Sequence, residues 1–239
     1  MTEGRPTAPE RGKLRIAIVA STGGSVMNEL LKQPTFHRHI AAVVADRECG
    51  ALTKAAAHGV PAVLLAERKA AAFCDRLLAY LRAERIDYVL SFYTKLFVGP
   101  LLEAYRDRII NMHPSLLPSF KGLNGFEDSL RAGVRFGGTS IHVVDERMDE
   151  GKLILQSVFP IDPDEPEPRL RHRVFEQQCR SLLQVVHWLA AGRIYIEGAH
   201  VRVAGARFDS LEFAPALDSP EALNLRISFP EEHRNADPQ

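Results

Sequence analysis

Asn111 and His113 stand two residues apart in Ile109–Pro118 (IINMHPSLLP), at the end of an apolar run. Residues two apart in a strand face the same side, so an amide and an imidazole share one space. The amide N–H can donate to a developing oxyanion. The imidazole can accept or release a proton near neutral pH. Further on comes an acidic turn, Val144–Gly151 (VDERMDEG). Folded back over the strand, one of its carboxylates would meet and orient His113. Spacing does not choose among them, and Glu150 reads as a solvated tip residue.

A third candidate is the glycine turn Ser21–Ser25 (STGGS). Before a helix, such a turn offers backbone N–H groups to a phosphate or carboxylate, but it matches neither G-x-G-x-x-G nor a P-loop. Asp46 closes the next apolar run, at a distance that keeps a nicotinamide-ribose contact open; otherwise it is a capping or loop aspartate. His142 shares a strand face with Ser140 and reads as a structural or supporting histidine. His187 and Trp188 read as packing residues on a helix. His37, His39, His58, His172, His200 and His233 form no metal-like spacing, and no metal is expected.

The elements that must position these groups alternate. Apolar runs at Leu14–Ala20, Ile40–Ala45, Ala62–Leu65, Tyr88–Phe92 and Arg108–His113 read as buried strands. Helices are expected at Val26–Lys32, Ala51–His58 and Ala70–Glu84. This order implies an α/β fold, a mostly parallel Rossmann-like sheet with helices on both faces. Ligands collect outside the carboxyl ends of such strands, where Asn111 and His113 fall. Thr139–Asp145 and Leu153–Ile161 then read as an appended antiparallel pair. A long helix over Pro168–Ala191 and two short strands, Ile194–Glu197 and Val201–Val203, complete the core as an antiparallel C-terminal extension. The expected organisation is a flexible tail over 1–12, one domain over 13–206 and a loosely packed extension over 207–239.

Lys plus Arg and Asp plus Glu number 30 each, so formal net charge is zero. Such a chain is not built to hold a polyanion by bulk electrostatics, and nucleic acid is not an expected partner. Three scattered cysteines, Cys49, Cys74 and Cys179, read as reduced thiols. No run approaches transmembrane length, and the first residues lack the apolar core of a signal peptide. A cytoplasmic monomer or homodimer acting on a small molecule is expected.

With these residues in place, the chain resembles the 10-formyltetrahydrofolate-dependent formyltransferases, and within them the glycinamide ribonucleotide branch, over roughly residues 13–206. Asn111–Pro118 matches the signature Asn-x-His-Pro-Ser-Leu-Leu-Pro. Gly138–Val144 matches Gly-Thr-Ser-Val-His, and Asp149–Gly151 with Ile154–Gln156 matches the Asp-x-Gly and Ile-Leu-Gln segment. The resemblance implies Asn111, His113 and Asp149 as catalytic residues. It places Tyr93, Thr94, Lys95, Leu96 and Phe97 in the folate-contact segment, with backbone groups doing the binding, and Asp145 and Glu146 in the pterin loop. It places Gly23, Gly24 and Ser25 at the substrate phosphate, and Phe175 and Gln178 at the ribotide.

The departures lie on the amine side. Val26 stands where the branch usually has Asn, Gly122–Phe126 lacks the branch's two histidines, and Phe175 and Gln178 replace polar and glutamate positions. Each unpaired ligand group costs about 1–3 kcal/mol. Glycinamide ribonucleotide is therefore the default acceptor, with another small amine (a hydroxyornithine or an amino sugar) as the alternative. A folate- or nucleotide-binding protein without turnover is the reading from another class.

Overall fold

The structure is a computed structural model, and it describes residues 12–230. The proposed tail over 1–12 lies outside these residues except for Gly12, as does the end of the extension beyond Pro230.

The first half is a run of strand–helix units. It comprises β1 (Ile16–Ala20), α1 (Ser25–Leu30), α2 (Pro34–His37), β2 (Ile40–Ala45), α3 (Gly50–Ala57), β3 (Ala62–Leu64), α4 (Ala70–Ala83), β4 (Tyr88–Phe92), α5 (Pro100–Ala104) and β5 (Ile109–His113). The second half comprises α6 (Gly125–Arg131), β6 (Phe136–Val143), β7 (Leu153–Pro160), α7 (Glu167–Ala190), β8 (Ile194–Glu197), β9 (His200–Val203), β10 (Phe213–Ala214) and α8 (Pro220–Asn224).

One eight-stranded sheet runs β10-β7-β6-β5-β4-β1-β2-β3. The strands from β3 to β5 are mutually parallel, and β6, β7 and β10 continue antiparallel. Both faces are covered. Ile16, Ile18 and Ala20 pack into one core with Trp188 and Leu182 of α7, while Ala17 and Val19 pack into another with Phe73, Leu77 and Leu81 of α4. That alternation is why β1 is apolar at every position, since each face meets a helix layer. The spacing Phe73, Leu77, Leu81 is the stripe that docks α4.

β8 and β9 pair with each other as a separate two-stranded antiparallel sheet, in line with the antiparallel C-terminal extension expected. Two expectations change. His187 is exposed, while Trp188 is fully buried. The stretch after 206 is not loose as far as Leu225. Phe213, Ala216, Leu217, Ala222 and Leu225 are buried, and β10 adds to the edge of β7. Asp218 anchors the stretch by accepting from Gln184 Nε2 (2.8 Å) and Trp188 Nε1 (2.9 Å) and by pairing with Arg193 (2.7 Å).

Because β1 has β2 on one side and β4 on the other, the strand order reverses there. The loops after β1 and β4 diverge and leave a crevice at the carboxyl ends. The ends of β4 and β5, the turn after β5 and the acidic turn after β6 border it.

Candidate active site

Asn111 lies between Ser91 of β4 and His142 of β6, and His113 lies opposite Ser140. The antiparallel return of β6 thus puts a second imidazole beside the amide. The turn after β6 then doubles back. Asp149 takes a left-handed φ of 55°, which few non-glycine residues adopt and which costs of order 1–3 kcal/mol. Gly151 follows because any Cβ there would overlap the Val143 carbonyl. This geometry carries Asp149, and none of the other acidic residues of the turn, underneath the strand end.

Asp149 is buried and gathers the site. Its Oδ2 accepts from the Gly122 amide at 2.8 Å and lies 3.4 Å from His113 Nδ1. Its Oδ1 lies 3.5 Å from both His142 Nε2 and Asn111 Nδ2. Burial alone would raise the carboxyl. The nearness of His142, the hydrogen bond from the Gly122 amide and the nearness of His113 outweigh it and hold the group below the usual carboxylate value.

The two imidazoles have assignable protons. His113 Nε2 lies 2.7 Å from the Phe120 carbonyl, and a carbonyl only accepts, so Nε2 carries hydrogen. Proton exchange is thereby left to Nδ1, beside Asp149. His142 Nδ1 likewise donates to the Val143 carbonyl (3.0 Å), so the neutral ring presents Nε2 as acceptor to Asn111 Nδ2 at 3.2 Å. One amide hydrogen of Asn111 is thus shared by His142 and Asp149, and the other is available to a ligand oxygen in the cleft. His142 thus touches Asn111 from β6, where a structural or supporting histidine was expected.

Behind them stands a scaffold that the sequence reading did not single out. Thr139 Oγ1 donates to the His113 carbonyl (2.7 Å), and Ser140 Oγ to the Ser115 carbonyl (2.8 Å). Gln156 Nε2 reaches the Leu117 carbonyl (2.9 Å), and Ser115 Oγ the Ser119 carbonyl (2.8 Å). The Ser-Leu-Leu-Pro turn is therefore tied to β6 and β7 through side chains. Polar side chains inside largely apolar strands, at Thr139, Ser140 and Gln156, were the available signal.

The cleft in front of these groups has a volume of ≈ 230 Å³. That is below the ~300–1,000 Å³ of a site enclosing a drug-sized ligand, so it suits a ring-sized head group with the remainder outside. Tyr93–Phe97 forms one wall, and Asp145 with Arg147–Asp149 another. Glu146 is exposed and does not line the cleft. The Tyr93 ring stacks between Phe73 and Phe97, at 5.0 Å from each, and burial pushes its hydroxyl well up. With that ring in the core, Tyr93 offers a ligand its backbone, while Leu96 is exposed at the cleft.

Asp46 is occupied structurally. Its side chain is 1% exposed, and it accepts from Ser21 Oγ (2.9 Å), Lys95 Nζ (2.8 Å) and Arg47 Nη2 (2.9 Å). Burial pushes its carboxyl up, but the bonds from Arg47, Lys95 and Ser21 prevail and set it at about 2. So engaged, it has nothing left for a ribose, and the nicotinamide reading falls. Among the described residues no group of three or more His, Cys, Asp or Glu could hold a metal ion.

On the amine side, Gly23 and Ser25 are exposed at the loop after β1, and Lys54 Nζ donates to the Gly23 carbonyl (2.7 Å). Gly24 has φ 63° and lies against Ala51. Val26 turns into the core rather than toward a ligand. Ser25 and Phe175 line a second cavity, of ≈ 490 Å³. Gln178 lines neither cavity.

A doubly wound sheet carrying an amide, an imidazole and a buried carboxylate around a cleft at its switch point defines a group-transfer active site. The chain belongs to the formyl transferase family, whose model matches residues 14–186. It is 32% identical over 183 residues to phosphoribosylglycinamide formyltransferase of Bacillus subtilis, covering 73% of this chain and 94% of that one. It is 32% identical over 199 residues to the enzyme of that name from Mycobacterium tuberculosis, covering 81% and 91%. It spans 19% of the trifunctional purine biosynthetic protein adenosine-3 of Gallus gallus, at 29% identity over 78% of this chain. Among solved structures it is similar to glycinamide ribonucleotide transformylase 1 from Symbiobacterium toebii, with a TM-score of 0.75 and 33% identity over 80% of this chain and 94% of that one. No helix among the described residues is long and apolar enough to cross a membrane.

Proposed function

We propose that the protein transfers a formyl group from 10-formyltetrahydrofolate to the amine of glycinamide ribonucleotide, a step of purine synthesis. The observation that carries this is the convergence of Asn111, His113 and Asp149 on a cleft walled by Tyr93–Phe97. The relatives named above support the acceptor. The hydroxyornithine and amino-sugar alternatives gain nothing from them.

The free amide hydrogen of Asn111 donates to the formyl oxygen, which becomes an oxyanion as the amine adds to the formyl carbon. His113 takes the proton of the attacking amine at Nδ1 and returns it to the leaving nitrogen. Asp149 stabilises the imidazolium so formed, 3.4 Å away. His142 holds Asn111 from the side. Tyr93–Phe97, Asp145 and the turn around Met148 take the pterin end of the donor, and Gly23–Ser25 with Phe175 face the acceptor.

The test is formyl transfer from 10-formyltetrahydrofolate to glycinamide ribonucleotide, followed by absorbance of the deformylated folate, with His113→Ala as control. Turnover that depends on His113 upholds the reading. Folate binding without any transfer leaves only the non-catalytic alternative.

A further inference from the structure

The cavity of ≈ 490 Å³ beside Ser25 draws its walls from three distant parts of the chain. Ser25 follows the glycine loop, Arg171, His172 and Phe175 come from α7, and Ser228 and Phe229 come from the segment after α8. That segment lies beyond the part matched by the family model, which ends at residue 186.

The segment is fastened in place. Leu225 is buried and Ile227 packs against the main core. His172 Nε2 donates to the Ile227 carbonyl at 2.8 Å. The Phe229 ring stands edge-on to His172 (centroids 5.2 Å, 84°), and the Phe175 ring lies 6.2 Å from the same imidazole. Two phenyl rings from distant parts of the chain are thus organised by one histidine.

The lining chemistry is specific. Two hydroxyls, Ser25 and Ser228, accompany the two phenyl rings. Arg171 is already paired with Glu127 (3.0 Å) and Glu167 (2.7 Å), so its charge is largely neutralised. Hydroxyls beside aromatic rings suit a sugar, whose C–H faces pack on rings while its hydroxyls bond sideways. Ser25 is three residues from Thr22, which lines the catalytic cleft, so cleft and cavity flank one short loop.

We propose that residues 225–230 form the outer wall of the acceptor site, with Ser228 and Phe229 as specificity-determining contacts to the acceptor's sugar. This rests on the acceptor being a ribosyl amine. The segment restores contacts at the position where Phe175 replaces a polar residue of α7.

The experiment compares full-length wild type with Ser228→Ala, Phe229→Ala and the conservative Phe229→Tyr. Phe229 is only half-buried, so these variants retain the fold, which thermal midpoints check. KM for glycinamide ribonucleotide rises about fivefold or more in Phe229→Ala and is restored toward wild type in Phe229→Tyr, while KM for the folate stays within about twofold. An unchanged acceptor KM, or an equal rise in both KM values, overturns the wall. If wild type does not formylate glycinamide ribonucleotide, the acceptor reading falls separately. The wall is then decided by ribose 5-phosphate titrated against the Ser228 and Phe229 amide resonances. Shifts that Phe229→Ala abolishes uphold it, and no shift in wild type overturns it.

Discussion

The donor cleft and the acceptor cavity sit on either side of the loop after β1, yet they are built differently. The cleft residues stand on adjacent strands or on turns pinned to them, and Thr139, Ser140 and Gln156 tie the end of β5 and the turn after it to the neighbouring strands. The acceptor cavity is assembled from a loop, one face of α7 and a segment more than fifty residues further along. Its walls are half-exposed, and its one lining guanidinium is already paired. On the proposed function, the chemistry is held by secondary structure, whereas choice of amine rests on parts that can change without disturbing it.

The contrast breaks if catalytic and acceptor-side variants behave alike. His113→Ala gives the largest effect, a fall in kcat of about 10²–10⁴ with the KM values little changed. A fall below tenfold would remove it from proton transfer. Asn111→Ala lowers kcat about 10²–10³, the scale of one lost oxyanion donor. If KM for the folate rises instead and kcat is preserved, the amide only binds.

Asp149→Asn sharpens the comparison through pH. The native carboxyl lies below its ordinary value of 3.8. Its contribution to stability is therefore complete above that value and is lost as pH falls through the lowered native value. Thermal midpoints of wild type fall in that acid window, and those of the variant fall less. Identical acid limbs would mean the carboxylate is not stabilised in the fold. The smallest effect belongs to the acceptor side: Phe175→Ala raises the acceptor KM about two- to tenfold and leaves kcat with saturating amine unchanged.

Much of this was legible in the sequence. Ile40–Ala45, Tyr88–Phe92 and Ile194–Glu197 are strands with the limits their apolar runs imply. Asn111 and His113 were legible because a period of two and a strand end are local facts. Choosing Asp149 from the residues alone was not possible, since its place depends on a left-handed backbone and on the missing side chain at Gly151. The helices α2, α5, α6 and α8 escaped notice because four to seven residues give too little periodicity, and α6 begins at a glycine that reads as a turn. The packing of 213–225 escaped because its partners, Gln184 and Trp188, lie some thirty residues away.

Gly125 carries a consequence for the chemistry itself. A methyl group there would sit 2.5 Å from His113 Nε2 and 2.6 Å from the Phe120 carbonyl oxygen, so the backbone closes over that edge of the imidazole. With Nε2 committed to the carbonyl and walled in, the ring has a single working nitrogen. In the proposed reaction, the proton taken from the amine and the proton given to the departing folate nitrogen then pass through the same Nδ1, one after the other, a strict sequence rather than a through-ring relay.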